Sequence, residues 1–71
     1  MDLASFLSAA AKLGRAGLQH APEIIELAQS AAATLGPQDQ ATAQAALADL
    51  QADNDEGFAR LDAKLAEAEG R

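Results

Sequence analysis

Alanine supplies 20 of the 71 residues, and that one fact does most to decide what the chain can fold into. Alanine is the strongest helix former, because its side chain loses no rotamer freedom, but it brings only one methyl group to a core. The 49% hydrophobic content therefore overstates the core material: with alanine set aside, ten Leu, two Ile, two Phe and Met1 remain. The β-branched residues are Ile24, Ile25, Thr34 and Thr42, too few for a sheet. The expected fold class is all-α, in a single small helical domain over residues 1–71. A core of this size supplies about 3–5 kcal/mol of net stability, which makes an enclosed catalytic cleft hard to build. Cysteine is absent, so a disulfide framework, a zinc–thiolate site and a thiol nucleophile are excluded.

The net charge of −6 argues against nonspecific nucleic-acid binding, which needs Lys and Arg to neutralise phosphates. It argues equally against docking on an anionic membrane surface. A membrane role for an amphipathic first helix is disfavoured because the basic residues there, Lys12 and Arg15, fall within one turn. The charge is uneven. Residues 1–36 carry three acids against Lys12 and Arg15, whereas residues 37–71 carry eight acids against Arg60, Lys64 and Arg71. The large apolar residues run the other way, ten in the first part and five in the second. Asp2 stands where a secretory leader would be basic, and no run approaches the ~20 apolar residues of a membrane span. The expected location is the cytoplasm, or a particle assembled there.

Prolines and glycines divide the chain into three expected helices, 2–20, 22–35 and 38–69. Asp2 suits an N-cap of the first, and its apolar side carries Leu3, Phe6, Leu7, Ala10, Leu13, Gly14, Gly17 and Leu18. Phe6, Leu7, Gly14 and Gly17 are the expected helix-packing face, the two glycines allowing a second backbone to come close. The second helix opens on Pro22, with a stripe of Ile24, Leu27, Ala28, Ala31 and Leu35 and with Ile25 and Ala32 at its edge. Gly36 suits the left-handed position after a helix end, and Pro37 can begin the next. The third segment would span about 48 Å as one helix. Its apolar residues follow a heptad-like spacing, with Gln44, Gln51, Phe58 and Leu65 in one seam position and Leu47, Asn54, Leu61 and Ala68 in the other.

The weak point of that segment is Asp53-Asn54-Asp55-Glu56-Gly57, whose residues favour turns and could divide it into 38–53 and 57–69. Continuity is the preferred reading, since the apolar phase does not slip and Glu56–Arg60 forms an i,i+4 pair across it. A shorter hairpin would cover only part of so long a helix. The expectation is therefore a helical hairpin or bundle, oligomeric and coiled-coil in character. Phe58, Leu61, Leu65 and Leu47 would face a partner, and Asn54 and Gln51 would set the register.

Chemistry-bearing patterns are sparse. The acidic run fails the calcium-loop template, which would need an acid at Gly57, a glycine at Phe58 and a glutamate at Lys64. His20 and Glu23 form a His-x-x-Glu interrupted by Pro22, and His20 is better read as a helix C-terminal residue. Ser5, Ser8 and Ser30 have no base in evident reach, and no glycine-rich phosphate loop is present. No catalytic residue, metal site or cofactor is expected. Asp49, Asp53 and Glu56 would project from one side of the third helix, as a solubilising face or as an acidic ridge that engages a basic partner.

Residues 36–66, with Gly36-Pro37-Gln38-Asp39-Gln40-Ala41, Ala45 to Asp55 and Phe58 to Leu65, resemble short Ala-rich helical proteins of tailed bacteriophages and prophages. The resemblance implies a virion component or a small phage-encoded effector, and carries no activity or functional residues with it. The expected function is that of a non-enzymatic structural or assembly protein, partnered by its own copies or by a larger protein assembly. The alternative is a small acidic inhibitor that binds a host protein.

Overall fold

The computed structural model describes residues 1–70 and consists of four helices, α1 (Leu3–Ala16), α2 (Pro22–Ala32), α3 (Pro37–Ala52) and α4 (Asp55–Glu69). Among the described residues there is no strand. Asp2 caps α1, its carboxylate accepting the Ser5 amide at 2.7 Å. The helix stops four residues earlier than the pattern predicts, because Gly17 turns left-handed (φ 74°, ψ 22°). The Gly17 and Leu18 amides donate back to the Gly14 and Leu13 carbonyls, the paired bonds of a glycine stop. Gly17 therefore ends the helix and takes no part in a packing face: nothing lies within 4 Å of the place a Cβ would occupy.

Pro22 opens α2 at a position where its missing N–H is no loss. The helix ends at Ala32, short of the expected Leu35, its Gln29, Ala31 and Ala32 carbonyls accepting the Ala33, Thr34 and Leu35 amides, and the carbonyls just past its end are met by a side chain. Gln40 Nε2 donates to the carbonyls of Ala33 (3.1 Å) and Leu35 (2.6 Å). Gly36 does not take the left-handed conformation expected of it. It is extended (φ −63°, ψ 161°), as a residue before proline is driven to be, and it precedes α3 as the N-cap.

The single long helix over 38–69 is not formed. Asp53 is left-handed (φ 52°, ψ 49°), and Asn54 is extended, its side chain accepting the Gly57 amide at 2.7 Å to start α4. Aspartate and asparagine are the non-glycine residues that best tolerate this conformation, and Asn is a strong N-cap. The chain doubles back after these two residues, and α4 packs along α3. A helix of about 48 Å could not fit within the observed extents of 27 × 23 × 16 Å. The break places Leu61 in the common core, 1% exposed, where the continuous helix would have left it in water. The apolar phase that suggested a coiled-coil seam serves an intramolecular hairpin instead.

Helices α1, α3 and α4 pack on one another, while α2 lies against α3, touches α1 and does not reach α4. Leu7, Leu50 and Leu61 are the largest fully buried side chains. Ala10, Ala11, Ala32, Ala43 and Ala46 share that core, so its helices approach closely and few large residues suffice to fill it. Helix α2 is rotated from the expected setting. Ile25 and Ala32 are the buried residues, and Leu27 is left 67% exposed with Ile24 beside it on the same face. Among the described residues, no helix is long and apolar enough to cross a membrane.

Candidate functional site

The site starts with two polar ties that fix the hairpin. Asp49 of α3 is turned inward, accepting Arg60 Nε at 2.9 Å and Lys64 Nζ, both from α4. Burial raises its carboxyl pKa, but the hydrogen bonds from Lys64 and Arg60 outweigh burial and hold it below the usual carboxylate range. Arg60 also keeps Glu56 at 4.0 Å, a far more exposed pair of little energetic weight. At the end of the hairpin, Gln19 Nε2 donates to Asp53 Oδ1 at 2.8 Å and His20 Nε2 lies 3.0 Å from Asp53 Oδ2. The hydrogen bonds from His20 and Gln19 lower the Asp53 pKa. These contacts join the α1–α2 connection to the α3–α4 connection, and His20 sits in the former rather than at a helix end.

The acidic ridge is therefore not assembled. Asp49 is enclosed by its two cations, Asp53 turns to Gln19 and His20, and Glu56 alone of the three stands open. The expected partner-facing line is divided in the same way. Leu47 and Leu61 are buried in the chain's own core, and Leu65 and Phe58 are half-buried against it. Asn54 is a helix cap rather than a register residue, and Gln51 is exposed on α3. Phe6 and Leu7 are buried.

What the fold does bring together is a groove between α1 and α4 of about 240 Å³, lined by Ala11, Gly14, Arg15, Phe58, Leu61 and Asp62. Gly14 makes it possible. A Cβ there would lie 3.0 Å from Leu50 Cδ1 and 3.2 Å from Phe58 Cε1, so the Phe58 ring can close down beside the α1 backbone only because position 14 carries none. The floor is apolar, with Arg15 on the α1 wall and Asp62 on the α4 wall. Neither makes an ion pair among the described residues, whereas Arg60 and Lys64 are engaged by Asp49. Arg15 and Asp62 carry no sequence signal of this role, because their approach depends on the hairpin turn at Asp53-Asn54. Such a groove can receive an apolar side chain, and its wall charges can orient charged groups that flank that side chain. Among the described residues, no group of three or more acids and histidines is placed to hold a metal ion.

No family model, curated protein or solved structure matches the chain.

Asp2 is a third carboxyl lowered by hydrogen bonding, from the side chain and amide of Ser5. All three acids have folded-state pKa values below those of the unfolded chain, near 3.9. Their contribution is thus complete above that value and lost as pH falls through the lower, folded-state values. Urea midpoints should hold steady down to about pH 5 and fall below about pH 4. The fall should be shallower in Asp49→Asn; an unchanged acid limb there would show that the Lys64–Asp49–Arg60 cluster is energetically silent.

Proposed function

We propose that the chain is a small non-enzymatic helical assembly protein, acting through helix–helix contact, and that the α1–α4 groove is its contact surface. The observation that carries this reading is an apolar floor bordered by two unpaired, opposite charges in a protein whose two bases on α4 are already taken. An assembled particle is the natural setting for such a protein, and the resemblance of residues 36–66 to phage-encoded helical proteins favours a virion.

In an extract of cells that produce it, the chain should elute in a discrete assembly, well above its own mass of 7.2 kDa. Arg15→Glu combined with Asp62→Lys should release it as a free chain with an unchanged helical spectrum, since both side chains lie on the surface. Elution as a free chain without any substitution would overturn the assembly reading. Assembly that survives the double substitution would move the contact away from the groove.

A further inference from the structure

The exposed apolar residue on α2 and the groove are chemically matched. Helix α1 holds two side-chain bases, Lys12 and Arg15, and no acid; α2 holds two acids, Glu23 and Glu26, and no base. None of the four makes an ion pair among the described residues. On α2, Leu27 stands out with Ile24 three residues before it and Glu23 four before it, so an acid and two aliphatic side chains share one face. On α1 and α4, the groove offers an apolar floor with Arg15 on the α1 wall and Asp62 on the α4 wall. The α2 face is apolar with an acid beside it, and the groove is apolar with a base on its α1 wall and an acid on its α4 wall, so the two match when Glu23 lies toward α1 and not toward α4.

We infer that the occupant of the groove is a second copy of this chain, which inserts Leu27 between α1 and α4 with Glu23 set against Arg15. The inference rests on the assembly reading above and names its partner. A chain cannot fill its own groove, because α2 packs on α3 and α1 and does not reach α4. On this inference the contact lies between copies and is head-to-tail: each chain uses its α2 face on one neighbour and its groove on another, rather than exchanging both with a single partner. Head-to-tail contacts close into a ring when the rotation allows and extend as a filament when it does not. The net charge of −6 opposes stacking copies at random, and the local charges of α1 and α2 offset that opposition in one orientation.

The test uses the purified full chain and sedimentation over a wide concentration range. The unmodified chain should grow beyond a dimer as concentration rises. Leu27→Asp should weaken association by about thirtyfold or more, as loss of a central apolar anchor does. Arg15→Glu should also weaken it, and adding Glu23→Lys to Arg15→Glu should restore it. Leu27→Asp keeps an intact groove and Arg15→Glu keeps an intact α2 face, so mixing them should give a one-to-one heterodimer and nothing larger. Association that stops at a closed dimer, or a mixture in which neither variant binds the other, would overturn the head-to-tail contact. A purified chain that stays monomeric throughout would overturn it too. If that chain still enters an assembly in extract, only the self-contact fails and the assembly reading survives.

Discussion

Gly57→Ala should destabilise the protein by about 2 kcal/mol, the middle of what overpacking a well-packed core costs. The added Cβ would run into the carbonyl oxygen of Asp49, and it would lie 3.1 Å from Asn54 Oδ1 and 3.2 Å from Ala52 Cβ. The first of these is backbone in the last turns of α3, so no rotamer change relieves it, and α4 must shift away from α3. That shift disturbs the Asn54 cap and the reach of Arg60 and Lys64 to Asp49 together. Alanine gains up to about 1 kcal/mol over glycine as a helix former, and the clash must exceed that gain. For a domain with a few kcal/mol in hand, the urea midpoint should drop by roughly half. Gly36→Ser is the control: its Cβ meets nothing within 4 Å and serine is a good N-cap, so stability should hold or rise slightly. A Gly57→Ala midpoint equal to that of the unmodified chain would mean that the α3–α4 crossing is looser than its geometry indicates.

Gly57 also marks where the sequence becomes hard to read. Helix starts set by local chemistry are legible: Asp2 caps, and Pro22 and Pro37 open helices, whereas the stop at Gly17 is masked by an apolar stripe that runs on through Leu18. The break at Asp53-Asn54 carries a local signal as well, but it competes with an apolar phase that runs unbroken from Leu47 to Leu65. Phase cannot decide, because a hairpin and a continuous helix both need the same residues on one side. The decision is tertiary: folding back buries Leu61 and pairs Asp49 with cations 11 and 15 residues away. Asp49 thereby passes from a surface acid in the pattern to a buried one in the fold. Helix α2 is likewise set by what it packs on, α3 and α1, which bury Ile25 from the edge of the expected stripe and leave Leu27 from its middle exposed. The groove inherits this dependence. Gly14 and Phe58 are conspicuous in the sequence, but Arg15 and Asp62 become its opposing walls only after the hairpin forms.

Leu50→Ala should be the more damaging substitution, costing about 2–5 kcal/mol and leaving much of the population unfolded near room temperature. Leu50 is fully buried in the central helix α3, which touches all three others. Its Cδ1 occupies the space beside Gly14, as the Phe58 ring does. Truncation leaves a hole there, since α1 and α4 are braced by the rest of the core and can close on it only in part. Gly14→Ala alone sets two effects of similar size against each other: about 1 kcal/mol gained in helix propensity, and a methyl at 3.0 Å from Leu50 and 3.2 Å from Phe58. Its net effect should be small or mildly unfavourable. In the Leu50→Ala background the clash with Leu50 is gone and the methyl enters the hole, so Gly14→Ala should there recover about 1 kcal/mol. The two substitutions should therefore be non-additive, with a favourable coupling well above the few tenths of a kcal/mol seen between independent sites. Urea denaturation of the four members of this cycle measures that coupling directly. Strict additivity would separate Gly14 from Leu50, and with it the close approach of α1 on which the floor of the groove depends.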